Sequence, residues 1–320
     1  HAALSQRKFT VSEVVRNVII IGSGPSGYTA AIYAARAQLS PIIYEGSVTA
    51  GGALMNTTEV ENFPGFVEGV MGPDLMDSMR KQSERFGAKL ITDDIVSMEL
   101  SGDIKVLKDG SGNTLQAKSV ILATGSAYKE IGLVNEKRLS GRGVSWCATC
   151  DGFFFREKVI AVVGGGDSAM EEANFLTKFA SKVFVIHRRD SLRASKIMVE
   201  RAHANPKIEF IWNTEVIDVL GADKVSGLRL RNLATSEESE KAFDGLFVAI
   251  GHLPRSELLV GQIDLDGEGY VKVDGRSTRT NQKGVFACGD LVDHTYRQAI
   301  TAAGSGCEAA LDAERFLSGH

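Results

Sequence analysis

A strand, a glycine-rich turn, a helix and a second strand follow one another twice in this chain, and no other feature constrains the fold as strongly. The first copy has its strand at 18–21 and its turn at 22–27, and the second has its strand at Val159–Val163 and its turn at 164–169. Helices are predicted next at 28–37 and 170–179, and second strands at 41–44 and 183–186. Short β-branched strands joined by helices form parallel sheets that are buried on both faces. Two such units predict two related domains rather than a solenoid.

Both halves also end in the same way, on an apolar strand that stops at a glycine, at 120–125 and at 246–251. The tail that begins near Pro254 is too short for a third domain, so we expect it to complete the first one. The second domain is then an insertion into the first. The predicted class is α/β, with two Rossmann-like, three-layer dinucleotide-binding domains, at 1–126 plus 254–320 and at 127–253.

Composition narrows the class of protein further. With 43% hydrophobic residues and 34 glycines in 320 residues, the chain has the composition of a compact globular protein. The formal net charge of −4 gives no reason to expect nucleic acid or an anionic membrane as a partner. We expect neither a bilayer-spanning segment nor a secretory leader, because no long apolar run occurs. Four cysteines do not make a disulfide framework, so the cytoplasm is the expected location.

The first glycine turn, Gly22-Ser23-Gly24-Pro25-Ser26-Gly27, has the spacing of a dinucleotide-binding fingerprint. Its glycines let backbone N–H groups approach a pyrophosphate, and the N-terminus of the following helix adds partial positive charge. Glu45 ends the next strand. A carboxylate there accepts hydrogen bonds from a ribose diol and repels a 2′-phosphate. This domain is therefore predicted to bind FAD or NAD rather than NADP.

The second turn differs at the position that selects the nucleotide. It reads Gly164-Gly165-Gly166-Asp167-Ser168-Ala169, and the strand after it ends in His187-Arg188-Arg189, with Arg193 close behind. Guanidinium groups at this place match the 2′-phosphate of NADPH. A solvated basic loop is the alternative interpretation. We expect this domain to bind NADPH.

A further segment favours FAD over NAD in the first domain. Apolar residues 285–288 lead to Gly289 and Asp290, and an acid at this position meets the ribityl and pyrophosphate of a flavin, which an NAD domain does not need. Arg297-Gln298-Ala299-Ile300 then opens a helix whose N-terminus would stabilise negative charge in a reduced flavin ring. The first domain is therefore predicted to hold FAD.

A Cys-x-x-Cys pair lies between the two fingerprints, in the segment Trp146-Cys147-Ala148-Thr149-Cys150-Asp151. Such a pair can hold an exchangeable disulfide with the acid beside it as a proton donor, although zinc sites use the same spacing. A dithiol between two dinucleotide sites indicates that electrons pass from one cofactor through another to sulfur. Cys288 and Cys307 lie among apolar or small residues, and each is expected to be an ordinary buried thiol.

Together these motifs make the chain resemble the low-molecular-weight, bacterial-type thioredoxin reductases along essentially its whole length. The segment Val60-Glu61-Asn62-Phe63-Pro64-Gly65 adds to the likeness. The resemblance implies a homodimer with one non-covalent FAD per subunit, NADPH as the co-substrate and thioredoxin as the protein substrate. We also expect the inserted domain to rotate between two poses, since NADPH and the cysteine pair must reach one flavin in turn.

The resemblance implies roles for single residues as well. Cys150 would be the thiol nearest the flavin, Cys147 would attack the thioredoxin disulfide, and Asp151 would move protons between the dithiol and solvent. The implied FAD contacts are Gly22, Ser23, Gly24, Pro25, Ser26, Gly27, Glu45, Gly51, Gly52, Ala53, Asn62, Ile95, Gly289, Asp290, Arg297, Gln298, Ala299 and Ile300. The implied NADPH contacts are Gly164, Gly166, Asp167, Ser168, Ala169, His187, Arg188, Arg189, Arg193, Ile250 and Tyr270. No metal site is expected.

Two residues depart from the family pattern. Ala53 follows the paired glycines where glutamine is common, which removes one side-chain hydrogen bond to the cofactor. Trp146 precedes the first cysteine where a small residue is usual, and it could gate the dithiol, contact the partner or simply pack.

The sequence also bears on three other classes of flavoprotein and on a zinc-binding sensor. A related flavoprotein that reduces a peroxiredoxin partner often carries an extra thioredoxin-like module, for which this chain is too short. The larger disulfide reductases use a wider cysteine spacing and a C-terminal His-Glu couple, and a ferredoxin–NADP reductase needs no Cys-x-x-Cys. A non-catalytic nucleotide sensor with zinc on its cysteines would need further ligands, and the six histidines are scattered.

Overall fold

A computed structural model describes residues 11–57 and 59–319 of the chain. The helices are α1 (Pro25–Arg36), α2 (Gly72–Arg85), α3 (Val134–Arg138), α4 (Ala148–Asp151), α5 (Asp167–Leu176), α6 (Lys196–Ala204) and α7 (Ala299–Ser318). The strands are β1 (Val11–Ile21), β2 (Ile42–Tyr44), β3 (Glu59–Val60), β4 (Val70–Met71), β5 (Lys89–Ile91), β6 (Ile95–Glu99), β7 (Lys105–Asp109), β8 (Thr114–Leu122), β9 (Ser126–Tyr128), β10 (Val144–Ser145), β11 (Val159–Val163), β12 (Lys182–Ile186), β13 (Ile208–Ile211), β14 (Thr214–Leu220), β15 (Gly227–Asn232), β16 (Glu238–Ala242), β17 (Gly245–Val248), β18 (His252–Pro254) and β19 (Val285–Ala287). Short 3-10 turns lie at Gly52–Asn56, Gly152–Phe155, Glu257–Leu259 and Gly289–Leu291.

The chain divides into two compact units. One unit combines the residues up to Ala127 with those from Leu253 onward, and the other is Tyr128–His252. The second unit is therefore an insertion into the first, with its ends one residue inside the range 127–253 derived from the sequence. Within the described residues, no helix is long and apolar enough to cross a bilayer.

The first unit is built on a sheet in the order β5-β2-β1-β8-β7-β6, with β19 also pairing with β8. Strands β2, β1, β8 and β19 run parallel to their neighbours in this set. Side chains of β1 alternate between two cores. Val18 and Ile20 pack with α1 and α7, while Ile19 and Ile21 pack with the residues of β6, β7 and the later loops. A sheet covered on both faces explains why these strands are continuously apolar.

The second unit repeats this construction. Its main sheet has the order β10-β17-β11-β12-β13, and each of these pairings is parallel. Ile160 and Val162 face a core made with α5 and α6, whereas Ala161 faces a core shared with the antiparallel sheet β14-β15-β16. The prediction of an α/β fold with parallel sheets is confirmed in both units.

The two fingerprint helices begin earlier than the sequence suggested, which corrects the ranges 28–37 and 170–179. Helix α1 starts at Pro25 and α5 at Asp167, each directly after an extended glycine N-cap, Gly24 or Gly166. Proline favours the first helical position because its fixed φ is already helical and it has no N–H to leave unpaired. The last residues of each glycine turn therefore belong to the helix, and the first turn of each helix lies within the fingerprint.

Candidate functional site

The first glycine turn is shaped by close backbone approaches. Gly22 has φ +104°, and a Cβ there would lie 2.1 Å from the carbonyl oxygen of Ala123. A Cβ on Gly27 would lie 1.9 Å from the carbonyl oxygen of Gly22, whereas one on Gly24 would meet nothing within 4 Å. Helix α1 has no side-chain cap and no acidic residue in its first turn. An open glycine before an uncapped helix N-terminus fits the pyrophosphate of a dinucleotide.

Two distant segments pack against this turn. The Ser23 hydroxyl accepts the N–H of Gly51 at 2.8 Å, and a Cβ on Gly52 would lie 3.0 Å from the Cα of Gly24. A Cβ on Gly289 would lie 2.5 Å from the hydroxyl oxygen of Ser26. The paired glycines and the turn that contains Asp290 therefore lie beside the first fingerprint.

A second pair of predicted cofactor residues meets at the N-terminus of α7. Asn62 donates its side-chain amide to Oε1 of Gln298 at 3.3 Å, and Gln298 is the N-cap of that helix. Arg297 just before it adopts φ +49°, and its N–H donates to the Asp293 carboxylate at 2.9 Å. Ala299 and Ile300 form the first turn of the helix, with Ile300 exposed.

The Glu45 carboxylate is fully buried, and protein donors contact both of its oxygens. The Tyr28 hydroxyl donates to Oε1 at 2.7 Å and the Thr92 hydroxyl to Oε2 at 3.1 Å. Arg80 on α2 donates Nε to Oε1 at 2.8 Å and Nη2 to Oε2 at 3.1 Å. A carboxylate has about four lone-pair sites, so a ribose hydroxyl that reaches Glu45 must share it with these donors. Arg80 is partly accessible, with 36% of its side chain exposed.

Asp290 is a partly buried carboxyl group in this unit. Burial, followed by the nearby Asp293 carboxylate, raises the pKa of Asp290 to about 6, and the Arg297 guanidinium opposes the shift. The group therefore titrates close to neutral pH in the folded protein.

Neutralising Asp290 should change how stability depends on pH. Because its folded pKa is above the unfolded value of 3.8, protonation of Asp290 stabilises the fold. That contribution is complete below the unfolded pKa and is lost as the pH rises through about 6. Asp290→Asn stays neutral, so in urea unfolding of the cofactor-free protein its free energy of unfolding should exceed that of the parent by about 3 kcal/mol at pH 8 and match it at about pH 3. A difference of the same size at both pH values would contradict this.

In the second unit the glycine turn lies directly against the His187 ring. A Cβ on Gly165 would lie 2.2 Å from Cε1 of His187, and one on Gly164 would lie 2.4 Å from the carbonyl oxygen of Ala249. Gly166, the N-cap of α5, is open, with nothing within 4 Å of an added Cβ. Burial lowers the pKa of His187, and the positive charges of the three arginines that follow it lower it further. The uncharged His187 ring therefore packs directly against the glycine turn at Gly165.

Two hydrogen bonds donated by backbone N–H groups hold the basic loop beside this turn. The N–H of Arg193 donates to the carbonyl of Gly165 at 2.7 Å, and the N–H of Ser195 donates to the Asp167 carboxylate at 2.6 Å. Arg188, Arg189 and Arg193 are exposed, and none of them belongs to an ion pair found among the described residues. Three guanidinium groups next to an uncapped helix N-terminus form a strongly anion-attracting site. Ser168 is exposed in the first turn of that helix, whereas Ala169 is buried beneath it.

The cysteine pair forms a disulfide in this unit, between Cys147 and Cys150. Cys147 is the N-cap of the short helix α4, which brings the second sulfur back to the first. Asp151 ends this helix. Burial raises the pKa of Asp151, and a hydrogen bond from the Ser145 hydroxyl at 2.6 Å opposes the shift. An exchangeable disulfide beside a partly buried acid can take up electrons and a proton together.

The remaining predicted residues have less distinctive positions. Ile95 is buried in the core behind β1, Ala53 is exposed in the 3-10 turn Gly52–Asn56, and Ile250 is exposed at the end of β17. Tyr270 lies in the first unit, buried against the His294 ring with centroids 5.8 Å apart. Trp146 packs beside the Tyr128 ring at 6.1 Å, which indicates a packing role.

The other two cysteines are unpaired thiols. Burial raises the pKa of Cys288 to about 12, so it holds no thiolate at neutral pH. Cys307 is half-buried. Within residues 11–57 and 59–319, no three histidine, cysteine or acidic side chains gather as metal ligands would.

Sequence reasoning did not identify Arg80, Thr92, Tyr28 or Ser145. Arg80 lies on the polar side of an ordinary amphipathic helix, and nothing in its surroundings along the chain points to Glu45. Ser145 lies two residues before Cys147, where its position alone could have suggested a contact with the dithiol.

The fold and these sites define a class of protein. The family model described as pyridine nucleotide-disulphide oxidoreductase matches residues 16–306, and the chain belongs to that family. A thioredoxin reductase of Streptomyces coelicolor is 66% identical over 304 residues, which are 95% of this chain and 94% of that protein. A thioredoxin reductase of Mycolicibacterium smegmatis is 62% identical over 309 residues, covering 97% and 99%. Within the family, the chain therefore belongs to the thioredoxin reductases.

A solved structure agrees with this assignment. The thioredoxin reductase from Streptococcus pyogenes superposes with a TM-score of 0.91 at 41% sequence identity, covering 97% of this chain and 100% of that one. The resemblance inferred from the motifs is confirmed.

Proposed function

We propose that the chain catalyses the NADPH-dependent reduction of thioredoxin, using FAD and the Cys147–Cys150 disulfide. The observation that carries this proposal is the disulfide itself, which lies next to the partly buried acid Asp151 and in the same unit as the arginine-flanked glycine turn. The names of the relatives point to the same protein substrate.

In this proposal the first unit holds FAD non-covalently. The open Gly24 and the uncapped N-terminus of α1 bind the pyrophosphate, Glu45 receives the adenosine ribose, and Asp290 lies at the ribityl end. Asn62 and the N-terminus of α7 would contact the ring, and Ile95 the adenine. When bound, FAD supplies a two-electron relay between nicotinamide and disulfide.

The second unit binds NADPH. The turn 164–169 takes the pyrophosphate, and the exposed guanidinium groups of Arg188, Arg189 and Arg193 pair with the 2′-phosphate. His187 is buried under the turn, so its role is to support the turn rather than to donate to the phosphate. Ile250 and Tyr270 stay candidate contacts.

The chemistry of this chain's own residues takes place at the dithiol. Cys147 attacks the thioredoxin disulfide as a thiolate, and Cys150 then resolves the mixed disulfide. Burial raises the pKa of Asp151, which favours its role as the acid that passes a proton to a leaving thiolate.

Three finer points belong to the same proposal. The inserted unit rotates so that nicotinamide and dithiol reach the flavin in turn, because both are carried by one unit. The working form is a homodimer with one FAD per subunit. The cytoplasm stays a prediction that rests on the small number of cysteines, four in the chain.

The proposal is tested by insulin reduction driven by NADPH, with and without added thioredoxin. We expect yellow protein whose flavin is bleached by NADPH, and insulin reduction only when thioredoxin is present. Colourless protein that does not take up FAD, or reduction that is independent of thioredoxin, would contradict the assignment.

Removing the Arg80 guanidinium should weaken FAD binding and stability together. In Arg80→Met the buried Glu45 carboxylate loses its counter-charge, and breaking such a pair costs about 3 kcal/mol. We expect a loss of about that size in urea unfolding of the cofactor-free protein, and at least about tenfold weaker FAD binding in a fluorescence titration. Arg80→Lys keeps the charge but not the two-pronged contact, and should give an intermediate result.

Lys81, on the same helix, is the matched control. Its carboxylate partner Asp77 is exposed, so Lys81→Met should leave both the free energy of unfolding and the FAD affinity unchanged within error. If Arg80→Met behaves like Lys81→Met, the ion pair with Glu45 has no part in the site.

A further inference from the structure

Ser145 contacts both the acid and the first cysteine of the dithiol. It is buried in β10, with 4% of its surface exposed. Its hydroxyl donates to Oδ2 of Asp151 at 2.6 Å and accepts the N–H of Cys147 at 3.1 Å. The carbonyl oxygen of Cys147 lies 3.4 Å from the same hydroxyl oxygen. One rotatable hydroxyl therefore has the acid on one side and a second acceptor on the other.

These contacts satisfy Asp151 in either protonation state. A serine hydroxyl has one hydrogen and two lone pairs. When Asp151 is a carboxylate, Ser145 donates to it, as observed. When Asp151 is protonated, the acid donates to the Ser145 oxygen, and the Ser145 hydrogen turns to the Cys147 carbonyl. Neither state leaves a buried group unpaired, which would cost about 1–3 kcal/mol.

We propose that Ser145 is the positioning residue for the acid of the dithiol, holding Asp151 in place through both protonation states by rotation of its hydroxyl. The inference rests on the proposed function. Reduction of the disulfide breaks the S–S bond, takes up two electrons supplied by NADPH and two protons, and leaves two thiols. Asp151 gives one of those protons to a leaving thiolate and becomes a carboxylate, to which Ser145 then donates. Solvent afterwards returns a proton to Asp151.

The hydrogen bond from Ser145 is the main polar interaction that affects the pKa of Asp151. Helix α4 packs against α5 and the turn Gly152–Phe155. The turn has no titratable side chain, and those of α5 are Asp167, Glu171 and Glu172, none of which is among the causes that shift the pKa of Asp151. Burial raises that pKa and the Ser145 hydroxyl lowers it. Loss of the hydroxyl should therefore raise it further.

Ser145→Ala tests the proposal in the complete, FAD-loaded enzyme. The rate of thioredoxin reduction is measured against pH, next to the NADPH-driven reduction of a dye that accepts electrons without the dithiol. An acid must be protonated to act, so the rate should fall above the pKa of Asp151. In Ser145→Ala we expect this alkaline limb of the pH–rate profile to move up by about one pH unit. The maximal rate of thioredoxin reduction should fall about tenfold, while the rate of dye reduction stays unchanged. Ser145→Thr keeps the hydroxyl and should restore the limb.

Asp151→Asn completes a double-mutant cycle. In that background Ser145→Ala should not move the pH profile any further, because the titrating acid that it shifts is gone. Ser181→Ala, an exposed serine of the same unit, should leave both rates and the limb unchanged. An unmoved limb in Ser145→Ala, or equal loss of both rates, overturns the proposal in favour of a packing role. A parent enzyme without thioredoxin turnover refutes the proposed function instead, so the two failures are distinguishable.

Discussion

Cys150→Ser is expected to lose at least about a thousandfold in thioredoxin turnover while NADPH still bleaches the bound FAD. The hydroxyl cannot form the disulfide with Cys147, so electrons have no route to an external disulfide. The two half-reactions should separate because the substitution leaves the arginine-flanked turn, the proposed NADPH site, untouched. Turnover is measured by insulin reduction with thioredoxin, and bleaching by anaerobic absorbance of the flavin.

Cys147→Ser should lose thioredoxin turnover to the same extent, because the disulfide needs both sulfur atoms. Cys307→Ser is the matched control, because this thiol is half-buried in the other unit and unpaired, and turnover should be unchanged. Cys288 should resist thiol reagents in the folded protein, since burial raises its pKa to about 12. Thioredoxin turnover that survives in Cys150→Ser would show that the disulfide is not on the reaction path.

Features that depend on local backbone sterics could be predicted from the sequence. Gly22 and Gly164 approach backbone carbonyls so closely that a side chain is excluded, and both belong to a spacing that is readable along the chain. The alternation of β1 between two cores follows from its continuous apolar run. The starts of α1 and α5 were predicted too late, because the glycine turns were treated as loops to their last residue.

The partners of Glu45 could not be predicted, for a physical reason. Arg80 reaches it because α2 packs against α1, and Thr92 reaches it because β5 pairs with β2 and continues past the carboxylate. Both contacts depend on packing between elements far apart in the sequence. Burial was unpredictable in the same way. His187 was expected among the phosphate ligands, yet its ring lies under the glycine turn with 4% of its surface exposed.

The second large effect is expected at the arginines that are proposed to bind the 2′-phosphate of NADPH. In the double variant Arg188→Leu with Arg189→Leu, kcat/KM for NADPH should fall about a hundredfold to a thousandfold, because each charge-assisted hydrogen bond to a phosphate contributes about 1.5–3 kcal/mol. NADH has no 2′-phosphate, so its kcat/KM should stay within about a factor of two of the parent. The loss should appear mainly in KM, because these contacts are remote from the hydride and bind ground state and transition state alike.

Comparing NADPH with NADH distinguishes a phosphate contact from a loss of fold and from a basic loop that binds no nucleotide. A general loss of fold would weaken NADPH and NADH together, and a solvated basic loop would weaken neither. Only a phosphate contact produces a loss confined to NADPH. Arg201→Leu, an exposed arginine on α6 of the same unit, supplies the control for net charge and should change neither value. Salt should also weaken NADPH binding to the parent more than to the double variant, since screening acts on the charges that the variant lacks.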